Sequence, residues 1–72
     1  MIKFTLILWV CSFLGQGVCS PPLSNSILYD SWYECSRAAH QESVKLLAKI
    51  GYKEVNEGHV GIRYTCQSVE VY

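Results

Sequence analysis

Cys35 and His40 are the residue types of a thiol nucleophile and its base, and Ser36 and His40 those of a serine hydrolase. On a helix, five residues put Cys35 and His40 about 140° apart around the axis, so that pair does not meet. Ser36 and His40 are i,i+4 neighbours within hydrogen-bonding reach, with Asp30 or Glu42 as a third member. The glycine pattern of a nucleophile elbow is missing, however, and 72 residues offer little cleft. His40 and His59, with Glu57 or Glu42, are metal-ligand types. Structural zinc takes four ligands, commonly thiolates, and neither H-x-x-E-H nor C-x-x-C occurs. P-loop and dinucleotide glycine patterns are lacking too. The expectation is a non-enzymatic protein with no metal and no cofactor; a small hydrolase using His40 is kept as an alternative.

The four cysteines must be sorted before any is given a role. Met1-Ile2-Lys3 makes a short positive start, and residues 4–14 are an uncharged, mostly apolar run containing Cys11. Small residues follow as far as Cys19 and Ser20, and then Pro21-Pro22. These are the marks of a secretory signal peptide, and they predict one over residues 1–19, released after Cys19. The sixteen residues from Phe4 to Cys19 fall short of the roughly 20 that span a membrane. Retention as an uncleaved N-terminal helix is the competing expectation. Cleavage would leave Cys35 and Cys66, an even pair in an oxidising compartment, and predicts one disulfide between them.

The elements that must position these residues lie in the part from Ser20 to Tyr72. Residues 20–26 read as a polar, proline-started, flexible leader. A small α+β domain is expected over residues 27–72, with Ile27-Leu28-Tyr29 as a short strand. Ser31-Trp32-Tyr33-Glu34 fits the S-x-x-E capping box, and Gly51 stands where a helix C-cap belongs. Between them Trp32, Cys35, Ala39, Ser43, Leu46 and Ile50 fall on one helical stripe. Arg37, Gln41, Lys45 and Lys49 form the solvated face opposite. After Gly51 the period changes to two: Val60, Ile62, Tyr64 and Cys66 alternate with Gly61, Arg63 and Thr65. Tyr52–Val55 reads as a shorter strand, and Asn56–His59 as a turn in which Gly58 is able to take positive φ. Cys35 on the helix's inward stripe and Cys66 on the sheet's inward face thus point into one interior. The predicted architecture is β-α-β-β or α-β-β, one amphipathic helix on a small antiparallel sheet. Val69–Tyr72 extends the last strand or frays.

Six basic residues balance six acidic ones. A phosphate backbone needs a surplus of Lys and Arg, so a nucleic-acid partner is not expected. Trp32, Tyr64 and Tyr29 are expected in the core. Tyr33 and Tyr52 keep exposed edges and, with His40 and His59, make the candidate binding surface. Ser31-Trp32-Tyr33-Glu34-Cys35, Gly51-Tyr52-Lys53 and Tyr64-Thr65-Cys66, in this order, resemble short exported proteins of marine bacteria and their phages. That resemblance covers roughly residues 27–67 and implies a fold and a location, with no catalysis. The expected function is a small exported interaction module, secreted or periplasmic, whose partner is another exported or envelope protein. It would touch a membrane only through the N-terminal segment before cleavage. The alternative is a membrane-retained small protein that modulates a membrane complex. The sequence leaves the oligomeric state open.

Overall fold

The structure, a computed structural model, describes every residue except Gln16 and Tyr72. Its elements run β1 (Ile2–Ser12), β2 (Val18–Cys19), β3 (Leu23–Tyr29), α1 (Trp32–Ile50), α2 (Tyr52–Gly58) and β4 (Val60–Glu70). The class is α+β, with helices on an antiparallel sheet of four strands.

β1 is the strand that all the others use. β4 pairs with it along its whole length, from Ile2 opposite Glu70 to Ser12 opposite Val60. On its other edge β3 pairs along the lower half, from Phe4–Tyr29 to Leu8–Leu23, and β2 at the upper end, with Cys11 opposite Cys19. β3 and β4 are both antiparallel to β1 and hence parallel to each other, so the helices form the crossover of a split β-α-β unit.

Residues 1–19, expected to leave as a signal peptide, therefore supply the central strand and the first hairpin of this fold. β3 and β4 are joined only through β1, so this sheet is built on those residues. Here residues 2–12 form a strand. No helix among the described residues is long and apolar enough to cross a membrane.

Alternation along β1 sorts its side chains to two faces. Phe4, Leu6 and Leu8 face α1, and Leu6 and Leu8 join Cys35, Ala39 and Cys66 in the buried core. Leu6 is 1% exposed and lies opposite Cys66 in the register. Lys3, Thr5, Ile7, Trp9 and Cys11 alternate to the face that no helix covers. Lys3 ends there in an ion pair, its Nζ 2.6 Å from Asp30 Oδ1.

The predicted helix is α1. Ser31 caps it, its Oγ accepting from the Glu34 N–H at 3.1 Å, though the Glu34 carboxylate makes no return bond of a full capping box. Gly51, at φ 101°, ends it by donating to the Leu47 carbonyl at 3.0 Å. Trp32 departs from the expected core stripe. As the first helical residue it leans its edge on Phe4, ring centroids 6.0 Å apart, and stays 56% exposed.

Three further expectations are corrected. Tyr52–Val55 is not a strand but the first part of α2. Val55 was its only β-branched residue, and Lys53, Glu54 and Glu57 are good helix formers. The positive φ belongs to His59, at 47°, rather than Gly58; His59 closes α2 in the left-handed region, its N–H bound to the Val55 carbonyl. Residues 23–26 of the polar leader belong to β3, which runs Leu23–Tyr29. β3 holds on mainly by backbone pairing, with Tyr29 packed against the core and every other position exposed. It absorbs extra residues in a bulge at Ser26, φ 60°, where Asn25 Oδ1 accepts from the Ile27 N–H. The last strand extends through Glu70; Tyr72 of the expected tail lies outside the described residues.

Candidate functional site: a groove on the first helix and a disulfide on the open sheet face

Two disulfides form, where one was expected. Cys35–Cys66 clamps α1 to β4, its Cα atoms 6.2 Å apart, with the two residues 0% and 5% exposed. Cys11–Cys19, assigned by the sequence reading to the leader, staples β1 to β2. The even total of four cysteines was the signal for it. It was set aside because a leader accounted for two of them.

The exposed helical residues gather where α1 runs beside β4. Tyr33, Ser36, Arg37, His40 and Gln41 line an open groove of about 370 Å³. Successive turns of α1 supply all five, which is why spacings of three and four bring them to one side. Tyr64 of β4 touches two of them. Its hydroxyl lies 3.0 Å from Ser36 Oγ, and the His40 ring meets its ring edge-on at 5.4 Å. His40 Nδ1 donates to the Ser36 carbonyl at 2.8 Å. Serine and histidine are therefore both engaged, but with other groups: the Ser36 hydroxyl with Tyr64, the imidazole with a backbone oxygen. The arrangement presents an aromatic ring, a guanidinium and an imidazole edge on a rigid helix. It holds no nucleophile bonded to a base.

The four residues of the expected surface divide. Tyr33 and His40 share the groove, and Tyr33 is 71% exposed. Tyr52 is 87% exposed on α2 and His59 is that helix's C-cap. Tyr52 follows the far end of α1, roughly 25 Å along the axis from Tyr33 at 1.5 Å per residue. They do not make one patch. Arg37 and Gln41 are groove residues that the sequence reading placed on the solvated face. Among the described residues no three of His, Cys, Asp and Glu gather as metal ligands.

A second, smaller depression of about 200 Å³ lies on the open sheet face, lined by Trp9, Cys19 and Arg63. The register explains it: Trp9 is opposite Arg63, Cys11 opposite Cys19, and Cys11 also opposite Gly61. Gly61 leaves room for the Phe13 ring, since a Cβ would stand 2.7 Å from Phe13 Cε2 and push that ring aside. The Phe13 ring closes the upper end of this face.

No family model matches the chain, and no curated protein or solved structure matches it either.

Proposed function

We propose that this is a small exported, non-enzymatic interaction module that binds another exported or envelope protein through the α1 groove. The carrying observation is the groove itself, an exposed Tyr33 beside Arg37 and His40 on a helix pinned to the sheet by Cys35–Cys66. Tyrosine and arginine are enriched at interface hot spots, where a rigid aromatic gives contact area at low entropic cost. Export is supported by the two disulfides, which form and persist in oxidising compartments outside the cytoplasm.

The test is capture of cross-linked partners by the oxidised full chain in its native compartment, with three variants beside it. Tyr33→Ala and Arg37→Ala should each abolish capture of a partner while leaving the unfolding midpoint unchanged. Tyr52→Ala, at the other end of the helix, should capture normally. Capture that survives Tyr33→Ala and Arg37→Ala but fails with Tyr52→Ala refutes the groove as the binding surface.

A further inference from the structure

The two disulfides occupy opposite environments. Cys35–Cys66 lies in the helix–sheet core, so a thiol reaches it only after that interface opens. Cys11–Cys19 lies on the uncovered face of the sheet. Cys11 is 1% exposed, but Cys19 is exposed and lines the depression shared with Trp9 and Arg63.

We infer that Cys11–Cys19 is a thiol–disulfide exchange site, at which the sulfur of the exposed Cys19 accepts a thiolate guided by Arg63. This goes beyond the binding reading and does not depend on it. Three features of the site bear on the chemistry. Accessibility decides which sulfur is attacked, and the shielding of Cys11 leaves Cys19. Arg63, opposite Trp9 in the register and lining the same depression as Cys19, puts a permanent positive charge beside the approach of an anion. The staple also spans only eight residues and a two-residue strand. Opening it frees a hairpin tip and leaves β1 paired to β3 and β4.

The electrons balance as a two-electron exchange with a thiol co-substrate. A thiolate attacks Cys19 Sγ, forming a mixed disulfide and breaking the Cys19–Cys11 bond, and Cys11 leaves as a thiolate. A second thiolate, from the same dithiol or a second monothiol, attacks the co-substrate sulfur of the mixed disulfide and releases Cys19 as a thiolate. The co-substrate ends oxidised to a disulfide and the protein reduced to two thiols. In this direction the protein oxidises its partner; a protein disulfide run in the opposite direction restores it.

The experiment exposes the oxidised full chain to graded reduced glutathione, quenches with iodoacetamide and maps the alkylated cysteines by mass. Expected are alkylation of Cys11 and Cys19 at concentrations that leave Cys35–Cys66 intact, and helical circular dichroism that does not change. Arg63→Gln should slow the first step three- to fivefold, the effect of one unit charge near contact in water, and Arg63→Lys should restore it. In a second measurement, oxidised glutathione should modify the free Cys19 of Cys11→Ser faster than the free Cys11 of Cys19→Ser. The proposal is overturned if both disulfides open together, if Cys35–Cys66 opens first, or if the fold is lost with Cys11–Cys19. Equal rates in the Arg63 variants, or in the two single-thiol variants, overturn it as well.

Discussion

Leu6→Ala separates a central strand from a leader, because only a strand makes Leu6 different from its apolar neighbours. Leu6 is 1% exposed and packs with Leu8, Cys35, Ala39 and Cys66. Truncating a leucine so buried costs about 2–5 kcal/mol, the transfer term plus the cavity left behind. A 72-residue domain has roughly 4–11 kcal/mol of stability in all. The substitution should therefore remove on the order of half of it. With a urea slope of about 1 kcal/mol/M for a protein this small, the midpoint should fall by about 2 M or more. Ile2→Ala is the control within the same segment, since Ile2 is 58% exposed at the sheet's foot; it should change stability by no more than about 0.5 kcal/mol. The assay is equilibrium urea unfolding of the oxidised protein, followed by circular dichroism, with the intact mass measured on each sample. A mass beginning at Ser20, with midpoints that ignore both substitutions, would falsify the assignment of residues 2–12 to the sheet.

Two further outcomes follow from the helix and its clamp. Ser31→Ala removes the acceptor that satisfies the Glu34 N–H and should cost about 0.5–2 kcal/mol, whereas Ser24→Ala on the exposed strand β3 should change the urea midpoint hardly at all. Cys35→Ala and Cys66→Ala should each cost about 2–5 kcal/mol, and the double variant should match either single one because all three lack the same bond; a double variant whose loss is the sum of the two would show that the cysteines act separately.

The helix and the last strand were legible because each buries one face and so carries its period openly. Ser31 and Gly51 punctuate α1 as written, and Val60, Ile62, Tyr64 and Cys66 alternate through β4. β1 reads as a leader for a physical reason. Apolar residues occupy both of its faces, Phe4, Leu6 and Leu8 toward the helix being interleaved with Ile7, Trp9 and Cys11 on the other side. The result is a continuous apolar run, and the same run after a single Lys3 is what a signal peptide looks like. β3 was hidden by the opposite cause. Its side chains bury almost nothing, and what holds it, backbone bonds to β1, leaves no mark on residue type. Of the candidate site, Tyr33 and His40 were legible from helical spacing. Arg37 and the Cys11–Cys19 staple were not, because they need the position of β4 and β1 to acquire meaning.

β1 is also set apart by the order in which the fold can assemble. β1 lies near the start of the chain and its longest partner near the end, with Ile2 opposite Glu70. Until β4 exists, β1 has only the short β2 and the exposed β3, and Leu6 and Leu8 have neither Cys66 nor Tyr64 across from them. For most of synthesis the segment is thus an unpaired apolar stretch after a lysine, physically as well as by composition. Pairing of this sequence separation has the highest closure cost and comes late. Cys35–Cys66 closes only after β4 has docked, so the clamp fixes the arrangement that covers Leu6 and does not precede it. Cys11–Cys19 joins residues only eight apart and can close before β4 is made. One disulfide is therefore a product of the finished fold and the other of a local hairpin. That difference in origin matches the difference in where they lie, one inside the core and the other on the open face within reach of a thiol.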